Sequence, residues 1–331
     1  MTITTRENMI RVFNHEEPEF MPLITDIQDI STVEPGFACD IQGTREPGMR
    51  EVDWFGQPWL LEPGINAYNP DVNNYIIKDI AHWEEYLIIP NLEQINWEEK
   101  FKKDAIAVDR ENKFIQIKDR VGLWERAFCT VPIVDLLCAL LEEPEACERF
   151  FSAIADHKIK LHNYYLEYYR PDSLCMHDDF GSGTSLFMSP GTWRALIKPH
   201  LQRVIDNLSR QGVKYNHHCC GVLAPIAEEI ADMGAVAWEN VHVSNDPCAC
   251  KQSFGNKLAF IGGLANNQFL DLDSTTEEQV REHMRQTMDQ FLPGVGSVVC
   301  SGFKAHPERR KIVDEELLGY GQTFFASKRP Q

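Results

Sequence analysis

The chain has 331 residues, 43% of them apolar and 25% charged, enough for one large core under a solvated surface, and a single barrel domain of this length is ordinary. Its 50 acidic side chains against 32 basic ones leave a net charge of −18, a field that repels phosphate backbones and argues against nucleic acid as a partner. No run approaches the roughly 20 apolar residues that cross a bilayer, so no membrane association is expected.

The opening MTITTRENMIRVF reads as an amphipathic helix over about Thr5–Phe13 and lacks the basic-then-apolar order of an export signal. With ten cysteines and no small-domain disulfide framework, a reducing, cytoplasmic setting is the expectation, with most thiols acting as small buried hydrophobes. A Glu-Pro turn leads into Phe20-Met-Pro-Leu-Ile-Thr25, the expected first strand. Residues 35–75, rich in Gly, Pro, Asn and Asp around Trp54, Trp59 and Tyr68, read as long loops with short strands. Helical patterns follow near 81–87, 121–141 and 143–167.

From Ser173 the alternation is cleaner. Strands are expected at Ser173–His177, Val213–His218, Ala235–Val241, Leu258–Ile261 and Ser297–Cys300. A helix follows each, the last near 313–326, with Gly212 and Gly234 as stops and Thr276 as a start. Five strand-then-helix units mean a parallel sheet covered by helices. A doubly wound sheet is the alternative, but no G-x-G-x-x-G or Walker A sequence is present. The expectation is a single α/β domain over 1–331, a (β/α)₈ TIM barrel. Residues 1–75 supply a loop-rich N-terminal extension, and 173–326 carry the site.

Chemistry in such a barrel gathers at the C-terminal ends of the strands. Those ends read His177-Asp-Asp179, His217-His-Cys-Cys-Gly221, Glu239-Asn240, Gly262-Gly263 and Cys300-Ser-Gly302. The sharpest set is His218-x-Cys220 with the distant Cys300. Two thiolates and an imidazole suit zinc over harder cations, and three protein ligands leave a position open for catalysis. Gly221 would permit the turn beside the ligands. An H-x-C pair alone is weak evidence, and Cys248-x-Cys250 competes from a helix start. Cys219 reads as core, and His217 as a supporting partner or simply buried. Asp178 and Asp179 read as an acid/base or substrate-orienting pair, or equally as a helix N-cap or salt-bridge partner for the loop Gly181-Ser-Gly183. Glu239 reads as a fourth metal contact, a hydrogen-bond acceptor, or an inward polar group satisfied by a nearby Arg or Lys.

Asp178-Asp-Phe-Gly-Ser-Gly, Met188-Ser-Pro-Gly-Thr-Trp193, Lys198-Pro-His200, His217-His-Cys-Cys-Gly221, Ala237-Trp-Glu-Asn-Val241, Asn245-Asp-Pro247 and Phe254 to Gly263 follow one another as in the uroporphyrinogen decarboxylase superfamily, which this chain resembles. The likeness is strongest over 121–303 and implies a (β/α)₈ barrel. The Arg-rich R-Q-A-G-R loop and the F-S-D-I segment of the decarboxylases are absent. The H-x-C and distant Cys resemble instead the zinc-dependent methyltransferases of corrinoid systems. That branch implies Zn²⁺ on His218, Cys220 and Cys300, a corrinoid protein as partner, and a small-molecule methyl donor or acceptor. Asp178, Asp179 or Glu239 would orient that molecule or supply a proton. Trp238-Glu-Asn and Asn245-Asp-Pro resemble the enzymes that demethylate methoxylated aromatics. The runner-up is decarboxylation of a tetrapyrrole carboxylate, and a third reading is a barrel that binds without catalysis. Gly262-Gly-Leu-Ala-Asn266, where the family often has Asp after the glycines, and Ala235-Val-Ala237 depart from the pattern at the substrate pocket.

Overall fold

The computed structural model describes residues 3–30, 48–61, 68–104, 107–265, 269–300 and 307–327. The first helix spans Thr5–Phe13, opened by a capping box in which Thr4 and Glu7 satisfy each other's backbone amides. The chain then makes a tight turn at Ile24–Asp26, where the Asp26 carboxylate accepts from the Leu23 amide at 3.0 Å. The first strand, β1, therefore runs over Ile27–Ile30 and not over the Phe20–Thr25 stretch. Pro22 in that stretch has no N–H for a sheet ladder, and the turn takes the residues after it.

Three short strands, β2 (Arg50–Val52), β3 (Pro58–Leu61) and β4 (Tyr68–Pro70), form a small antiparallel sheet in the loop-rich region. Asp53 ties it to the barrel. Its carboxylate accepts from the amides of Phe55 and Gln57, both at 2.9 Å, and from Trp59 Nε1 at 3.0 Å. It also pairs with the fully buried Arg126, whose guanidinium lies 4.1 Å from the Phe55 ring centre.

The main sheet holds β1, then β5 (Phe114–Asp119), β6 (Ser173–His177), β7 (Lys214–His218), β8 (Ala235–Val241), β9 (Ala259–Gly263) and β10 (Ser297–Cys300), each parallel to its neighbour. β5 was not anticipated from the sequence. Among the described residues seven strands pair where eight were expected. The sheet nonetheless curls round on itself. The turn before β1 lies against β10, and Ile27, Phe114, Ala237, Ala259, Ile261 and Val298 share one small core with Met9, Val12 and Phe13 of the first helix. That helix plugs the end of the barrel away from the strand C-termini.

The region 121–141 is two helices, Leu123–Thr130 and Ile133–Glu142, broken at Val131-Pro132. The long helix Pro144–Tyr169 packs on the outside of the sheet and buries Phe150, Phe151, Ile154, Leu161 and Tyr165 in the main core. Inside the same contact lies an ionic cluster: Lys158 Nζ is 2.8 Å from Asp119 Oδ1, and His162 Nε2 is 2.7 Å from Asp119 Oδ2. The thiols of Cys147, Cys175, Cys219 and Cys250 are buried. No described helix is long and apolar enough to cross a membrane.

Candidate metal centre at the barrel mouth

Side-chain alternation on β6, β7 and β8 sends two sets of residues to opposite faces. Leu174, Met176, Tyr215 and Cys219 join the outer core. His217 also faces outward: it is fully buried, its Nδ1 lies 3.0 Å from Tyr215 Oη, and its ring stacks on Phe180 at 5.3 Å. Burial and the charge of His218 hold its pKa down to about 3, so it is a neutral core histidine. Cys219, with its thiol pushed up to about 12 by burial and by Asp179, is likewise core. The inward set is Ser173, Cys175, His177, Asn216, His218 and Glu239, and β5 adds Gln116 and Lys118.

Barrel interiors are usually filled with branched apolar residues, but this wall is polar. Glu239 is its hub. Lys118 Nζ lies 2.7 Å from Oε1, and Gln116 and Asn216 donate to Oε2 at 3.4 and 3.3 Å. Lys118 also pairs with Asp29 at 2.9 Å. Burial alone would raise the Glu239 carboxyl, but the His218 hydrogen bond and the Lys118 charge outweigh it and hold it below the ordinary carboxylate range. Two of the three readings from sequence are met together: Glu239 accepts hydrogen bonds, and as an inward polar group it is paired with a lysine.

His218 sits between Glu239 and the mouth. Its Nδ1 lies 3.3 Å from Glu239 Oε1, and its Nε2 lies 3.1 Å from Cys220 Sγ. Burial would lower its pKa, but hydrogen bonds to Cys175, Cys220 and Glu239 prevail and raise it well above the ordinary value. A carboxylate on one ring nitrogen fixes the tautomer and aims the other nitrogen outward, which is how metal-binding histidines are commonly oriented. The exposed Cys220 is fixed in turn: its amide donates to Asp179 Oδ1 at 2.6 Å, and Asn240 Nδ2 lies 3.6 Å from its sulfur. One ligand atom each from Asp179, His218 and Cys220 lies within 4.8 Å of the others.

β10 brings Cys300 to the same rim. Its Cα pairs in register with Gly263 at the end of β9, and the Cys300 side chain lies outside the described residues. Cys248 and Cys250 start the helix Pro247–Phe254, and Cys250 Sγ is spent on the Asn245 carbonyl at 3.2 Å.

Asp178 is fully buried, and its carboxylate accepts from the amides of Leu123 at 3.0 Å and Glu125 at 2.9 Å. It caps the Leu123–Thr130 helix, the plainer of its two readings. Asp179 faces the site through Cys220. Beside it stands Glu125, which sequence reasoning missed: Asp179 N donates to its Oε1 at 3.2 Å, and burial with the charges of Asp179 and Asp178 raises its pKa well above the ordinary value. No local spacing marks Glu125, Lys118 or Cys175: Lys118 and Cys175 reach the site through the pairing of distant strands, and Glu125 through the docking of its helix on Asp178 and Asp179.

The loop after Cys220 is held by close approach. A Cβ on Gly221 would lie 2.0 Å from the Gly181 carbonyl oxygen, and Val222 N donates to the Ser182 carbonyl at 2.8 Å. Gly221 is therefore needed for the crossing of two loops, not for a left-handed turn. Asn245 secures the far side, accepting from the amides of Leu223 at 2.7 Å and Ala224 at 2.9 Å and donating to the Gly221 carbonyl at 3.0 Å. Gly221→Ala is expected to cost about 1–3 kcal/mol and to displace Cys220. Urea unfolding and metal content measure the two effects separately.

A family model described as Uroporphyrinogen decarboxylase (URO-D) matches residues 127–310. Among solved structures, a methyltransferase from Methanosarcina mazei is similar with a TM-score of 0.65 at 14% identity, over 96% of this chain and 99% of that one. An Old Yellow Enzyme from a species of Pichia is more distant, with a TM-score of 0.40 at 14% identity over 70% of this chain and 68% of that one. No curated protein matches the chain in sequence. The first of these structures has the fold described above from end to end.

Proposed function

The chain belongs to the uroporphyrinogen decarboxylase family, and from that premise we propose that it is a zinc-dependent methyltransferase acting between a small molecule and a corrinoid held by a partner protein. The observation that carries the reading is the orientation of His218: Glu239 at 3.3 Å on Nδ1 turns Nε2 toward Cys220, 3.1 Å away at the barrel mouth. A soft imidazole–thiolate pair at a strand end, with a second cysteine entering on β10, is a donor set suited to zinc. His218, Cys220 and Cys300 would hold the ion. When bound, zinc supplies Lewis acidity, which keeps a thiol acceptor ionised or stabilises the phenolate leaving a methoxylated aromatic. The M. mazei methyltransferase supports the same class through its shared fold.

This chain's own groups do the rest. Asp179, which binds the Cys220 amide, and Glu125, which binds the Asp179 amide, would orient the substrate, and Glu125, raised above the ordinary carboxyl range by burial and by the charges of Asp179 and Asp178, would be the group to protonate a leaving oxygen. Lys118, a cation of the interior wall, is already neutralised by Asp29 and Glu239. A tetrapyrrole carboxylate would have to compete with both, which disfavours the decarboxylase alternative. Demethylation of a methoxylated aromatic is the direction we favour, on the resemblance of Trp238-Glu-Asn and Asn245-Asp-Pro to that group.

The test is direct. The purified, zinc-loaded chain is mixed with cob(I)alamin and methoxylated benzoates, or with methylcobalamin and a small thiol. Formation or loss of methylcobalamin is followed by its visible spectrum. Turnover in either pair supports the reading; zinc without turnover in both contradicts it. Glu239→Gln is expected to weaken zinc binding by about 10–100-fold, the usual effect of losing a partner behind a metal-bound histidine. Chelator competition measures it.

A further inference from the structure

The strand that carries Glu239 slips by one residue at its end, and the slip brings a second side chain to the mouth. On β8, Trp238 joins the outer core and Glu239 points into the barrel, so simple alternation would send Asn240 outward and Val241 inward. Val241 instead lies in the outer core. The pairing with β9 accounts for this: Glu239 stands opposite Ile261 and Val241 opposite Gly262, which makes Asn240 the extra residue of a β-bulge. Gly262 makes room for the bulge. Its φ is +134°, and a Cβ there would lie 2.6 Å from the Val241 nitrogen. The Cys219 amide donates to the Glu239 carbonyl at 2.8 Å, so Cys220 and Asn240 leave the sheet side by side, with Asn240 Nδ2 3.6 Å from Cys220 Sγ.

We infer that Asn240 is a positioning residue of the metal centre: its amide donates a hydrogen bond to the Cys220 thiolate and sets how strongly that sulfur binds an ion. The inference rests on the zinc reading above for the ion, and on the bulge for the contact. A thiolate accepts, so the N–H₂ end of the amide turns to the sulfur and the carbonyl oxygen turns away.

Groups that stand behind a metal ligand hold it in place and tune its basicity. Glu239 does this for the His218 ring at 3.3 Å, Asp179 holds the Cys220 backbone at 2.6 Å, and Asn240 supports the sulfur itself. A sulfur that shares its charge with an N–H gives less of it to a metal, which leaves the metal the stronger Lewis acid. Because the bulge sets Glu239 and Asn240 consecutively on the mouth side, one irregularity in one strand serves both His218 and Cys220.

Cobalt(II) loaded into the full chain reads this contact, because the energy of its sulfur-to-metal charge-transfer band follows the charge on the sulfur. Asn240→Leu keeps the side-chain size and removes the donor. It is expected to move the band to longer wavelength and to lower cobalt affinity by about 10-fold, the lower end for loss of a supporting group. At saturating cobalt, the same substitution in a Cys220→Ser background is expected to leave the remaining band where it was, since the sulfur it addresses is gone. Asn240→Ala repeats the test should the leucine variant not fold. A band that stays in place when the donor is lost, or one that moves equally in the Cys220→Ser background, overturns the role of Asn240 and leaves the zinc reading standing. A wild type that binds no cobalt, or binds it without a sulfur band, overturns the zinc reading and the inference with it.

Discussion

Cys220→Ser is expected to lower zinc affinity by more than about 100-fold, the upper end of what the loss of a mere supporting partner costs, and to reduce methyl transfer to background. The sulfur is exposed, so replacing it removes little buried area and no core packing. Its amide stays bound to Asp179, and the loop behind it stays clamped by Asn245 and by the close crossing at Gly221. What is lost is the atom 3.1 Å from His218 Nε2. The variant should therefore unfold at the wild-type urea midpoint while its metal content collapses. Equal loss of stability and metal would mean that the thiol holds the loop and not an ion.

Asp119→Ala is expected to destabilise the fold by about 3–5 kcal/mol, the range for removing one partner of a buried ion pair. Asp119 lies at the end of β5 but faces outward, where Lys158 and His162 of the long helix meet it at 2.8 and 2.7 Å. Lys158 is fully buried, so the variant leaves an ammonium without its carboxylate. Burial would raise the Asp119 carboxyl, but Lys158 and His162 outweigh it and hold it below its ordinary value. A carboxyl lowered on folding stabilises fully above its unfolded pKa of about 4 and progressively less as the pH falls toward the folded value. Thermal unfolding from pH 7 to pH 3 should show the wild type losing more stability than the variant. Parallel pH profiles would contradict this account.

The strands from residue 173 onward were legible because each is bounded by turn residues and followed by a helix of clear period. Ser173–His177, Ala235–Val241 and Ser297–Cys300 stand where the pattern put them. β5 was hidden by its inward polar residues. In Phe-Ile-Gln-Ile-Lys-Asp the inward positions carry Gln116 and Lys118, so the apolar signature of a buried barrel strand is broken. The first strand was misplaced by about one turn because the apolar residues from Phe20 to Ile24 look like a strand, yet Pro22 and the Asp26 carboxylate make them a turn.

At the site, His218 and Cys220 were readable from spacing at a strand end, and the structure places them together. For Cys300 the backbone of β10 reaches the rim, and its thiol lies outside the described residues. Asp178 and Asp179 are adjacent in sequence but divide their work, one capping a helix and the other facing Cys220. Lys118 and Cys175 lie on strands far from the motif and are brought in by the register of β5 through β8, whereas Glu125 comes in on a helix capped by Asp178.

Zinc K-edge X-ray absorption of the purified chain tests the central claim most directly. The account predicts a four-coordinate ion with sulfur at about 2.3 Å and nitrogen at about 2.0–2.1 Å, its sulfur shell halved in whatever zinc the Cys220→Ser variant takes up at saturating metal. A shell of oxygen and nitrogen alone, or sulfur scattering unchanged in that variant, would contradict it.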